Sequence, residues 1–324
     1  MKAFITGGTG FIGSHLVDTL IADKSYDEVR CLVRTKEKWL KGKPFKKFEG
    51  DLHDLNVIQK AVEGVDVIFH IAGRVKAPDY QLLKRANVDA TENLLRIAQK
   101  AGVPKMVVLS SLAAAGPSRS QTLTEDTPMQ PVSLYGKSKK QMEQLIHKAA
   151  DKNISITVLR PAAVYGPREE QIYSFFKMAD KRICPIVGDG EQPKVSLVYV
   201  DDVVQSCLKA ADDKTPGVET YFVSGAEIST WKQIKKVTSK VLGKKILPIY
   251  LKPKWVQAIA VGVEKAASVF GIYPVINKEK ADELILEWTC SIERAKKELN
   301  YRPQYSIEEG ISRTIHWYKK HHWL

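Results

Sequence analysis

The sequence is short of the features that would place it outside the ordinary globular classes. Its four cysteines, Cys31, Cys184, Cys207 and Cys290, are far apart and none forms a C-x-x-C pair, so neither a zinc site nor a disulfide framework is signalled. No apolar run approaches the roughly 20 residues a membrane span needs. The N-terminal stretch lacks a charged-then-apolar leader pattern, because Gly7 to Gly10 interrupt it. There is no low-complexity linker and no internal repeat. With 324 residues, 44% hydrophobic and 27% charged, the chain can bury one large core or two moderate ones, and the expectation is a cytoplasmic globular enzyme. Lysine and arginine outnumber aspartate and glutamate by 50 to 37, a formal net charge of +13. These cations are scattered over helix faces instead of gathered among aromatics, which points to solvated surface and not to nucleic-acid binding.

Against these absences stands a dense N-terminal signal. Lys2-Ala3-Phe4-Ile5-Thr6 reads as a buried strand, followed by Gly7-Gly8-Thr9-Gly10-Phe11-Ile12-Gly13 and a helix with Leu16, Val17 and Leu20 at helical spacing. Glycines 8, 10 and 13 satisfy G-x-G-x-x-G, which permits a tight turn, close backbone approach to a pyrophosphate and helix-on-strand packing. The helix then aims its unpaired N–H groups at phosphate oxygens.

Strand-like runs recur at Lys2–Thr6, Glu28–Val33, Pro44–Glu49, Val65–Ile71, Lys105–Ser110 and Ile154–Leu159, with helix patterns over Phe11–Ala22, Leu55–Val62, Tyr80–Ala101 and Ser133–Ala150. The alternation predicts an α/β fold: a doubly wound parallel sheet of the Rossmann type with a smaller, mainly helical C-terminal substrate-binding part. Residues 1–166, with 198–224 returning to them, form the dinucleotide-binding domain; residues 167–197 and 225–324 form the substrate-binding part. The cleft is expected over the carboxyl ends of the strands.

Tyr135-Gly136-Lys137-Ser138-Lys139 puts Tyr135 and Lys139 on one face of a helix. A free phenol has a pKa of about 10, and a nearby ammonium is expected to lower it enough for proton exchange. Ser111, just past the strand that ends at Ser110, supplies a hydroxyl to orient a reacting oxygen. His15, His53 and His70 read as hydrogen-bonded structural residues. The neighbouring His321 and His322 point in different directions on a terminal helix, and no metal is expected.

With these residues in place the chain resembles the extended short-chain dehydrogenase/reductase superfamily, in its NAD-dependent epimerase/dehydratase branch. The resemblance covers nearly the whole chain. It runs through Thr6–Gly13, Gly50-Asp51-Leu52, His70-Ile71-Ala72-Gly73, Asn87-Val88-Asp89-Ala90-Thr91, Arg160-Pro161-Ala162-Ala163-Val164-Tyr165-Gly166-Pro167-Arg168 and Val198-Tyr199-Val200-Asp201-Asp202-Val203. It implies Tyr135 as general acid/base, Lys139 as its electrostatic partner and a ligand of the nicotinamide ribose, and Ser111 as the carbonyl orienter. It further implies cofactor contacts from Gly7, Gly10, Phe11, Ile12, Gly13, Arg34, Asp51, Leu52, Ala72, Gly73, Arg74, Asn87, Ser110, Pro161 and Val164, and a homodimer.

At the end of strand two, where NAD enzymes carry a carboxylate for the ribose 2′-hydroxyl, the chain has Val33-Arg34-Thr35-Lys36. A guanidinium suits a 2′-phosphate and cannot accept from a hydroxyl, so NADP is favoured over NAD. Gly188-Asp189-Gly190 is followed by Lys194 where sugar-nucleotide enzymes of the branch carry a diphosphate-gripping arginine, and Ser111-Leu112-Ala113-Ala114-Ala115 has an apolar wall. Both departures resemble the dihydroflavonol-reductase-like and 3β-hydroxysteroid-dehydrogenase-like subgroup. The leading expectation is therefore hydride transfer between nicotinamide and a carbonyl or secondary alcohol of a small or lipid-like substrate. A nucleotide-sugar epimerase or dehydratase is the alternative, and a noncatalytic NAD(P) sensor a second. The apolar stretch from Trp255 to Val263, continuing through Ala266, Ala267, Val269 and Phe270, is read as a helix on its own core or the roof of a greasy pocket, with membrane contact the less favoured reading.

Overall fold

The computed structural model describes residues 1–119, 121–269 and 278–324, and the side chains of 265–269 are outside that description. The first part runs β1 (Lys2–Thr6), α1 (Phe11–Ala22), β2 (Glu28–Val33), β3 (Lys46–Glu49), α2 (Leu55–Val62), β4 (Val67–His70), α3 (Tyr80–Lys84), α4 (Ala90–Lys100), β5 (Lys105–Leu109), α5 (Leu112–Ala115), α6 (Leu134–Ala149) and β6 (Ser155–Pro161). The later elements are β7 (Ala163–Tyr165), α7 (Tyr173–Asp180), β8 (Ile183–Val187), β9 (Val195–Tyr199), α8 (Val200–Asp212), β10 (Val218–Val223), β11 (Ile228–Ser229), α9 (Trp231–Leu242), β12 (Leu247–Leu251), α10 (Pro253–Val269), α11 (Lys278–Leu284), α12 (Glu293–Glu298) and α13 (Ile307–Lys320).

The main sheet has seven strands in the order β10-β6-β5-β4-β1-β2-β3, all parallel. Its strands read as continuous apolar runs because both faces are covered. In β1, Ala3 and Ile5 enter the core under α1 and α8, while Phe4 between them enters the opposite core under α2, α4 and α6. Val107 and Leu109 of β5 share the first core, Met106 and Val108 the second. Residues 198–224 divide: β9 joins β7 and β11 in a small sheet, α8 packs beneath the main sheet, and β10 becomes its edge strand beside β6.

One predicted helix is interrupted. Tyr80–Ala101 breaks into α3 and α4 around a π-helical turn at Arg85–Asp89, a feature that sits mostly at functional positions because the wider turn re-aims its side chains. Here it aims Asn87 inward, where the side chain bonds the Arg74 backbone on both sides, N–H at 2.7 Å and carbonyl at 2.9 Å, and the Ser138 hydroxyl at 2.9 Å.

The second part builds its own core from Tyr165, Phe176, Ile186, Tyr199, Ile234, Ile311 and Tyr318, around β7-β9-β11 and the parallel pair β8-β12. On α10, Val256 and Ala260 pack against Ala281, Leu251 and Val187, while Trp255, Ile259 and Val263 are exposed on the other face. The helix thus rests on a small core, with an apolar stripe turned outward; Phe270 lies outside the described residues. No helix among the described residues is long and apolar enough to cross a membrane.

The two parts are joined by Tyr301, which is fully buried and donates from its hydroxyl to the Ser224 carbonyl at 2.9 Å, just past β10. Tyr301→Phe leaves that carbonyl without its partner and is expected to cost about 1 kcal/mol in urea unfolding. A variant as stable as the native chain would show that the hydroxyl is not an anchor.

Candidate active site

The order of the strands reverses between β1 and β4, and the turn residues that follow these two strands meet there. Gly7 has φ +76°, and a Cβ on it would sit 2.6 Å from the Ala72 nitrogen, so only glycine lets the two backbones close up. Gly10 is the N-cap of α1 with no side-chain cap, the first turn of the helix contains no acid, and Phe11, Ile12 and Gly13 form that turn. Their amides and the helix dipole face the crevice as an anion site.

Around the crevice the expected residues separate into groups. Asp51 follows Gly50 after β3 and is exposed, its carboxylate accepting from the His53 amide at 2.7 Å, with Leu52 buried beside it. Arg34 is exposed directly after β2 and makes no hydrogen bond or ion pair among the described residues. Arg74 is exposed, its Nε donating to the Lys76 carbonyl. Pro161 ends β6 and Val164 lies half-buried in β7. His70, at the end of β4, is fully enclosed between the Thr6 and Thr91 hydroxyls at 2.7 and 2.8 Å. Burial and the Lys139 ammonium push its imidazole down to about 3, so it stays neutral and structural.

The three groups expected to do chemistry converge. Ser111 caps α5, its hydroxyl accepting from the Ala113 amide at 3.1 Å and lying near enough to the Tyr135 phenol to favour its ionised form. That approach needs a second glycine: a Cβ on Gly136 would lie 2.3 Å from the Ala113 carbonyl oxygen, so the first turn of α6 rests directly on α5. Ser133 starts α6, accepting from the Gly136 amide at 3.1 Å. Lys139 is buried and donates to the Leu109 carbonyl at 2.7 Å. A Cβ added at Gly73 would come within 3.2 Å of its Nζ.

The electrostatics differ from the expectation of an acidified phenol. Burial pushes Tyr135 up to about 12, opposed by the Ser111 hydroxyl and assisted by the Glu283 carboxylate. Burial likewise brings Lys139 down to about 8, with Glu143 pulling the other way. Desolvation sets the phenol here, the Lys139 ammonium being turned to the Leu109 carbonyl, and Tyr135 is protonated at neutral pH.

Several neighbours were not singled out from the sequence. Glu143, one turn after Lys139, is fully buried and accepts from both Ser110 and Arg160. The Ser110 hydroxyl is thus donated to α6. From the second part, α11 sits against the start of α6: Glu279 accepts from the Leu134 amide, and Glu283 acts on Tyr135. The i, i+4, i+8 series Tyr135, Lys139, Glu143 was the legible signal for the first; nothing local signals the second, since 145 residues separate Leu134 from Glu279. Lys194 is exposed, and its backbone carbonyl accepts from the Trp288 amide at 3.0 Å.

A model of the NAD dependent epimerase/dehydratase family matches residues 3–223. The chain belongs to this family. Among relatives of the NAD dependent epimerase/dehydratase kind, a ceramide reductase of Caulobacter vibrioides is 26% identical, aligned over 99% of this chain and 95% of its own. A human decarboxylating sterol-4-alpha-carboxylate 3-dehydrogenase is 27% identical over 97% of this chain and 87% of its own. The fold is shared with a Thermotoga maritima UDP-glucose 4-epimerase bound to UDP-glucose, with TM-score 0.81, 24% identity and 99% of both chains covered.

The residues present fit the dinucleotide the family uses: the turn before α1 is bare backbone held against Ala72 at Gly7, where no Cβ fits, and α1 presents an uncapped, acid-free N-terminus. Gly7→Ala forces a side chain into a positive φ and against Ala72, and cofactor affinity measured by calorimetry should fall about tenfold or more. Unchanged affinity would place the dinucleotide elsewhere.

Proposed function

We propose that the chain is an NADP-preferring oxidoreductase that passes a hydride between the nicotinamide and a carbonyl or secondary alcohol carbon of a small or lipid-like substrate. The observation that carries this reading is the convergence of Ser111, at the start of α5, on the phenol of Tyr135 in the first turn of α6, four residues before the buried Lys139. A protonated phenol is an acid, which suits carbonyl reduction. Ser111 holds the substrate oxygen and Tyr135 gives it the phenolic proton as the carbon is reduced. The phenolate left on Tyr135 is then favoured by the Ser111 hydroxyl and by the ammonium of Lys139, and is reprotonated from solvent. When bound, the cofactor supplies the hydride. Gly7, Gly10, Phe11, Ile12 and Gly13 would hold the pyrophosphate, Asp51, Leu52, Ala72, Gly73 and Arg74 the adenosine side, and Asn87, Lys139, Pro161 and Val164 the nicotinamide side.

Two observations support the substrate class. Leu112, Ala114 and Ala115 beyond Ser111 are buried and apolar, and the two relatives above are named for a ceramide and a sterol, both lipid-like. The second reading, a nucleotide-sugar epimerase or dehydratase, draws on the family match, but the exposed Lys194 is a point charge without a guanidinium fork for a diphosphate. An NADPH-consumption screen across ketones, aldehydes and nucleotide sugars separates the two. Conversion of a nucleotide sugar with no net NADPH oxidation would establish the second reading and remove the first.

Tyr135→Phe should lower kcat about a thousandfold while the Kd for cofactor stays within about threefold. Near-native turnover would reject the proton-transfer role. The exposed Arg34, with no partner of its own, is assigned to the 2′-phosphate. Arg34→Ala should raise KM for NADPH about tenfold or more and leave KM for NADH within about twofold, since a charge-assisted bond to one phosphate is lost from one cofactor alone. Equal effects on both cofactors would remove the preference.

A further inference from the structure

Glu143 is a buried carboxylate in the middle of a helix, a location that demands a reason. It sits on α6 at the third place of the series Tyr135, Lys139, Glu143, so all three side chains leave one face of the helix. Its carboxylate accepts from Arg160 Nε at 3.0 Å and from Arg160 Nη2 at 2.6 Å, a bidentate pair with 5% of the arginine side chain exposed and none of the glutamate's. It also accepts from the Ser110 hydroxyl. Ser110 is the residue between Leu109, whose carbonyl receives the Lys139 ammonium, and Ser111, which lies beside the Tyr135 phenol. Arg160 is the residue before Pro161 and packs over the Phe222 ring of β10 at 5.4 Å.

We propose that Glu143 is the positioning residue of this site: through Ser110 and Arg160 it clamps the ends of β5 and β6 to α6, and its charge holds Lys139 as an ammonium under the catalytic phenol. The inference rests on the reading of Tyr135 and Lys139 given above. The clamp fixes register, because Ser111 is carried by one of the joined elements, Pro161 by the second, and Tyr135 with Lys139 by the third. A shift of one element moves a reacting group relative to the other two, and small displacements of that kind cost rate steeply.

The charge has a separate effect. Around Lys139, the packed elements contribute Glu143 and the neutral Tyr135 from α6, Arg160 from β6, and His70 from β4, which is neutral; β5 contributes only the Leu109 carbonyl and the serine hydroxyls. Glu143 is the one anion among the described residues that acts on Lys139, while Glu283 of α11 acts on Tyr135. Without Glu143 the buried ammonium keeps only the Leu109 carbonyl against its desolvation, and gives up its proton at lower pH. A neutral lysine then leaves a phenolate at Tyr135 uncompensated.

The decisive measurement needs no substrate. In protein carrying isotope-labelled lysine, the Lys139 signal, assigned with Lys139→Met, is titrated by NMR in the native chain and in Glu143→Gln. The native midpoint is expected near 8. In Glu143→Gln it should move acidward by at least about one pH unit, while Glu143→Asp, which keeps the charge, should return it most of the way. Should the single variant fail to fold with its guanidinium unpaired, Glu143→Gln/Arg160→Gln removes both buried charges and takes its place, with an acidward midpoint again expected. A Lys139 midpoint equal to the native one in the folded Gln variant overturns the proposal. With a substrate from the carbonyl screen, Glu143→Gln should lower kcat about tenfold or more at pH 7.5, with KM for the cofactor within about threefold and a shifted pH profile. A loss confined to thermal stability, with kcat and its pH profile native, overturns the proposal as well. If no carbonyl substrate is found, it is the functional reading that fails, and the Lys139 titration still decides the role of Glu143.

Discussion

The backbone of Gly7 lies so close to the amide of Ala72 that no Cβ fits between them, and this approach marks where the strand order reverses. From β1 the chain winds outward through β2 and β3, then returns to β4 and winds the other way to β6. The turns leaving β1 and β4 therefore part above the sheet, and the crevice between them is the place a parallel sheet offers to a ligand. The anion-facing start of α1, the neutral His70 and the inward Asn87 all take their positions from that reversal.

A second constraint is buried charge. Lys139, Glu143 and Arg160 lie within the core at the carboxyl ends of β5 and β6, where isolated ions would be costly. The pairing of Glu143 with Arg160, and the Leu109 carbonyl that takes the Lys139 ammonium, make the cost bearable. The same enclosure raises the phenol of Tyr135 and lowers the ammonium of Lys139, driving the two apart in proton affinity because burial favours the neutral form of each. The site is tuned more by desolvation than by attraction between these two groups.

The second part of the molecule contributes from a distance. The α11 helix reaches the N-terminal turn of α6 through Glu279 and brings Glu283 to bear on the phenol, while α10 holds α11 through Gln257 and Asp282 at 2.8 Å. The start of α6 is thereby held by an element 145 residues farther along the chain. The small core under α10 and the outward stripe of Trp255, Ile259 and Val263 show that the apolar run first noticed there splits between two faces, only one of which is packed.

Local pattern alone determined much of this protein: the glycine turn behind a buried strand, the alternation of strands and helices, and the four-residue spacing of Tyr135 and Lys139. These are encoded within a few residues of one another, so periodicity and turn chemistry reveal them. Tertiary structure decided the rest. The π turn that aims Asn87, the pairing of Glu143 with Arg160, the commitment of the Ser110 hydroxyl to α6 and the contact of α11 with Leu134 each join residues that only packing brings together. The proton affinities of Tyr135 and Lys139 belong to this second group as well, since they follow from how much water the assembled fold excludes, a quantity that no short stretch of sequence contains.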